Sequence, residues 1–142
     1  MITDAIWDDF NNDGATDLIV IGEWMAPKFF KNENGKFIEE QVINGELNGL
    51  WQSITAFDID NDGDIDILIT NRVESNEICL NDGNGDFSEI ILFGNAEDAT
   101  IDVEVYDMNQ DGFKDLILAN RNNQPNYIYL NDGGLNFNKK IR

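Results

Sequence analysis

One register of acidic residues recurs three times along the chain at a constant step of 49 residues, and no local pattern constrains the fold as tightly. Asp9, Asp58 and Asp107 open the copies. At the same step follow Asn11, Asp60 and Asn109, then Asp13, Asp62 and Asp111, then Gly14, Gly63 and Gly112, and last Asp17, Asp66 and Asp115. The stretches read DFNNDGATDLIVIG, DIDNDGDIDILIT and DMNQDGFKDLILAN. A weaker signature trails each one: FFKNENGKF ending at Phe37, ICLNDGNGDF at Phe87 and IYLNDGGLNF at Phe137. The 142 residues are therefore one repeat domain of three tandem units, bounded near 1–48, 49–97 and 98–142.

Within a unit the periodicity is that of strands. DLIVIG, DILIT and DLILAN are short β-branched runs closed by Gly, Asn or Arg, too short for helices. Asn34-Gly35, Asp82-Gly83 and Gly133-Gly134 supply residues that tolerate positive φ, and so read as hairpin turns. Each unit then holds four antiparallel strands, expected in the second near 52–57, 66–71, 76–80 and 86–92. Four strands in about 40–50 residues is the size of one propeller blade.

Written from its first acid, each loop is D-x-[DN]-x-[DN]-G-x-x-D, with oxygen-bearing side chains at positions one, three, five and nine and a glycine for the sharp turn at six. An all-oxygen set of this density suits a hard cation, and its flexible geometry suits Ca²⁺ better than the stricter Mg²⁺. The backbone carbonyl at position seven, from Ala15, Asp64 or Phe113, completes each expected set. An EF-hand carries a bidentate glutamate at position twelve; here Val20, Ile69 and Leu118 stand there and begin a strand. Three Ca²⁺ sites are expected, the tightest at Asp58–Asp66, because Asn11 and Asn109 replace a carboxylate in the other two.

These loops, each followed by a YLNDGxGxF-like segment, resemble FG-GAP/VCBS repeats over nearly the whole chain. The resemblance implies an all-β propeller of the integrin α-chain type, with Ca²⁺ held between the first two strands of each blade. It implies Asp9, Asn11, Asp13 and Asp17 as one site, Asp58, Asp60, Asp62 and Asp66 as a second, and Asp107, Asn109, Asp111 and Asp115 as a third. Propellers have about 4–8 blades, so three are a partial ring. The chain is expected to be a piece of a longer propeller; the alternative is ring closure by a second copy.

A net charge of −19, from 28 acids against 9 bases, disfavours nucleic acid and anionic membranes as partners and favours cations. No stretch is long and apolar enough to insert in a membrane. The lone Cys79 falls in a strand-like run and reads as a small core hydrophobe. The absence of histidine removes Ser-His and Cys-His nucleophiles, which points to a non-catalytic module. Glu46, Glu74, Glu97 and Glu104 stay outside the metal loops, so an acid pair in a larger secreted carbohydrate-active enzyme is the alternative. Alternating strand direction puts Trp24, Trp51, Arg72 and Arg121 on the face opposite the loops, where they are candidates for binding a protein or glycan. Calcium affinity in the range of extracellular modules sets the expected location outside the cell or at its surface.

Overall fold

The computed structural model describes residues 1–40 and 49–141, and these form twelve strands without a helix. The first unit contains β1 (Ile2–Asp8), β2 (Asp17–Met25), β3 (Lys28–Glu33) and β4 (Lys36–Glu40). The second contains β5 (Gly49–Phe57), β6 (Asp66–Asn71), β7 (Asn76–Leu80) and β8 (Glu89–Phe93). The third contains β9 (Thr100–Tyr106), β10 (Asp115–Asn120), β11 (Tyr127–Asn131) and β12 (Phe137–Ile141). Each unit is an antiparallel meander, and a short pairing of Glu23 and Met25 with Leu50 and Gly49 joins the first sheet to the second. Glu46 and the end of the first unit lie outside the described residues.

β6 is buried at every residue because the second sheet is covered on both faces. Ile67 and Ile69 join Cys79 and Phe87 in a core shared with Phe10, Ile19, Ile21 and Phe29 of the first unit. Leu68 and Ile78 face the other way, into a core with Val103, Leu116, Leu118, Tyr127 and Tyr129 of the third. Period-two alternation thus serves two cores at once. Burying each of these aliphatic side chains stabilises the stack by about 1.5–3 kcal/mol. Cys79 is a packing residue as expected, and burial pushes its thiol up to about 12.

Of the three expected hairpin turns, only Asn34-Gly35 is a two-residue turn, with φ of 55° and 87° between β3 and β4. The other two are wider loops. In the second unit Asn81 Oδ1 accepts the N–H groups of Gly83 and Gly85 while Asp82 Oδ1 accepts those of Asn84 and Asp86. This polar knot delays β8 to Glu89. Gly133 and Gly134 sit in a similar five-residue loop between β11 and β12.

Candidate metal centre

The three acidic loops connect β1 to β2, β5 to β6 and β9 to β10, so all lie at one end of the stack. Their internal hydrogen bonding is the same. In the second loop the Asp62 N–H donates to Asp58 Oδ1 and Asp60 Oδ1 at 3.1 and 3.2 Å, the Gly63 N–H to Asp58 Oδ2 at 3.1 Å, and the Asp64 N–H to Asp62 Oδ1 at 2.9 Å. Asp13, Gly14 and Ala15 donate likewise to Asp9, Asn11 and Asp13. Asp111, Gly112 and Phe113 donate to Asp107, Asn109 and Asp111. Two left-handed residues bend each loop to aim these amides inward: Asn12, Asn61 or Gln110 at position four and the glycine at six. A Cβ on Gly63 would meet nothing within 4 Å, so glycine is required there by its φ of 99° rather than by space.

The acid at position nine is held differently. Asp66 is buried, with Oδ2 accepting the Ile59 N–H at 3.0 Å and Oδ1 the Asn81 N–H at 2.8 Å. Asp115 accepts from Met108 and Asn131 in the same way. Asp17 accepts from Asn32, while the Phe10 N–H approaches without completing a bond, and Asp17 Oδ2 is buried with no partner. Asn32, Asn81 and Asn131 are therefore braces of the sites. They stand in the repeated KNE and LND triplets, visible in the sequence without an assignable role.

One oxygen each from Asp58, Asp60 and Asp66 lies within 4.8 Å of the others, and among the described residues no other group of three acids is so close. The trio is positions one, three and nine; Asn11 and Asn109 replace its middle member in the other loops. The position-five acids Asp13, Asp62 and Asp111 are not part of such a trio, each using one oxygen to cap the position-seven N–H. Asp64 Oδ1 accepts the Asn12 amide of the first unit at 2.9 Å, which ties this carboxylate to the neighbouring unit. Burial raises the Asp66 carboxyl to about 6 against the two amides that lower it, with Asp60 and Asp62 adding to the rise. Asp60 is raised by burial and by Asp62 and Asp58, and Asp17 by burial and by Asp13 and Asp9. Three carboxylates converging in one loop, two of them raised by burial and by neighbouring acids, fit a hard divalent cation.

At the opposite end the four candidate recognition residues divide. Trp51 is 1% exposed and donates its indole N–H to the Met25 carbonyl at 2.9 Å, so it packs the core rather than meeting a ligand. The Arg72 guanidinium lies 3.3 Å from the Glu23 carboxylate of the neighbouring unit. Arg121, at the corresponding place in the third unit, is exposed. Trp24 is 79% exposed, the extra residue of a bulge between Glu23 and Met25 with a φ of 59°. A bulky residue in that region is strained, and the bulge turns the indole out to solvent.

A family model for the FG-GAP-like repeat matches residues 9–69 and again 58–118. The chain belongs to the FG-GAP-like repeat family. No curated protein matches the sequence. A solved structure of an Agrocybe aegerita lectin, described by its specific recognition of non-reducing terminal N-acetylglucosamine, is similar at a TM-score of 0.66 and 21% identity. The alignment covers 97% of this FG-GAP chain and 37% of the lectin chain, so the FG-GAP chain spans little more than a third of that protein. The fold is an all-β propeller type.

Proposed function

We propose that this FG-GAP chain is a calcium-stabilised propeller module, non-catalytic and extracellular, that binds a glycan or protein ligand through the face opposite its metal loops. The observation that carries the calcium reading is the convergence of Asp58, Asp60 and Asp66 inside a loop whose amide scaffold recurs in all three units. Calcium supplies charge neutralisation there. Asp9, Asn11, Asp13 and Asp17 would hold one ion, Asp58, Asp60, Asp62 and Asp66 a second, and Asp107, Asn109, Asp111 and Asp115 a third, each with the carbonyl of Ala15, Asp64 or Phe113. Three divalent ions add six positive charges to a chain of −19, relieving repulsion that opposes the compact state. At a dissociation constant of roughly 0.1 mM and free calcium near 1 mM, each site adds about 1.4 kcal/mol of stability.

The ligand reading rests on Trp24, held out by a strained bulge beside the Glu23–Arg72 pair, with Arg121 further along the same face. A flat aromatic beside planar cations suits a sugar ring or a peptide surface. Likeness to a lectin supports a glycan. Calorimetric titration with Ca²⁺ tests the metal arm: three sites are expected, with one lost in Asp58→Asn. A glycan array that includes terminal N-acetylglucosamine tests the other, with retained ligands lost in Trp24→Ala. Titration without heat or stoichiometry, or an array with no retained ligand, would overturn the corresponding arm.

A further inference from the structure

The first and second acidic loops are joined by hydrogen bonds that are not repeated between the second and third. Asn12, at position four of the first loop, stands between Asn11 and Asp13, two members of the first candidate site. Its amide crosses to the second unit, donating to Asp64 Oδ1 at 2.9 Å and to the Gly83 carbonyl at 3.1 Å. Asn81 makes a second crossing. Its backbone N–H donates to Asp66 Oδ1 at 2.8 Å, while its Nδ2 donates to the Phe10 carbonyl at 2.8 Å and to the Ile65 carbonyl at 2.9 Å. One buried side chain thus ties position two of the first loop to positions eight and nine of the second. Phe10 is itself anchored in the second unit, fully buried against Phe87 with ring centroids 5.8 Å apart. Between the second and third loops the partners differ: Phe113 stands in the place of Asp64 and offers Asn61 no carboxylate, and Asn131 Nδ2, the counterpart of the Asn81 donor, is buried without a partner.

We infer, resting on the calcium reading proposed above, that Ca²⁺ binding at the first and second loops is positively coupled through Asn12 and Asn81, and that the second and third loops lack this coupling. Gathering Asp9, Asn11 and Asp13 around one cation fixes the backbone at Phe10 and Asn12, and the bonds from these two residues then hold Asp64, Ile65 and Asp66 in place for the second site. Coupling between binding sites is reciprocal, so filling the second loop favours the first by the same factor. Repulsion between bound cations opposes it in both neighbouring pairs, so the difference between the pairs reports the bridge.

Calorimetric titration of the full chain with Ca²⁺ provides the test. Asp107→Asn leaves the first and second loops, Asp9→Asn leaves the second and third, and pairwise combinations of Asp9→Asn, Asp58→Asn and Asp107→Asn leave one loop each. The coupling factor of a pair is the product of its association constants when both loops are intact, divided by the product of the constants measured singly. The factor for the first pair is expected to exceed that for the second by about fivefold or more. Asn12→Gly, placed in every protein of the set, should lower the first factor toward the second, because glycine accepts the φ of 55° there and only the amide is lost. Asp64→Ala keeps the backbone carbonyl, removes the acceptor and should do the same without touching the first loop. Equal factors for the two pairs, or a first factor that neither substitution moves, would overturn the coupling while leaving the calcium sites in place. A wild type that takes up no Ca²⁺ would overturn the calcium reading and the coupling with it.

Discussion

Glu77 on β7 offers a quantitative test of the packing between the first two units. It pairs with Ile69 across the ladder to β6, is 8% exposed, and has one carboxylate oxygen buried without a partner. Burial, helped by Glu74, raises its carboxyl from 4.5 to about 7. Between these values the native state binds more protons than the unfolded chain, so stability falls as pH rises, and the penalty is complete above the folded value. Integrating the shift gives a loss of about 2–3 kcal/mol between roughly pH 5 and pH 8 from this one group. Glu77→Gln keeps the shape and removes the titration. Urea unfolding of both proteins at the two pH values, in calcium-saturated buffer, should show the wild-type loss exceeding that of the variant by about this amount. Comparing differences cancels any fixed cost of burying the amide. Equal losses in the two proteins would refute the burial of a strained carboxylate at this position.

Gly63→Ala should cost about 1–2 kcal/mol in chemical denaturation, since the added methyl meets empty space and only the left-handed backbone resists it. Trp24→Gly should raise stability by about 1 kcal/mol by relieving the positive φ, while removing ligand retention on the array; a loss of stability would mean that the indole packs. Cys79 should resist thiol reagents in the native protein and react only in denaturant, because its thiol is fully buried and shifted up to about 12; native-state labelling would contradict the double-faced packing of the second sheet.

The repeat made the strands and loops legible because a three-fold register fixes which residue types the backbone needs at each place. Asp58 and Asp66 were identifiable as partners from spacing alone, and β6 and β7 occupy the expected positions. What stayed hidden depends on contacts between units. Alternation cannot tell that Trp51 turns inward to the Met25 carbonyl while Trp24 is thrown out by a bulge one strand away. Neither could composition reveal that Asp64 bonds Asn12, 52 residues earlier in the chain. The role of the repeated asparagine at Asn32, Asn81 and Asn131 emerges only when β3, β7 and β11 lie beside the loops. Likewise, Asp82-Gly83 satisfies the composition of a tight turn, yet Asn81 and Asp82 capture four amides of the segment and widen it.

Thermal unfolding in chelated buffer, with and without millimolar Ca²⁺ and with Mg²⁺ as control, tests the metal assignment most directly. Three sites of the affinity expected outside cells should together raise the melting temperature by several degrees, with Asp58→Asn losing part of the rise and Mg²⁺ giving little. A melting temperature indifferent to Ca²⁺ would contradict the account and leave the three loops as turns held by their own amides.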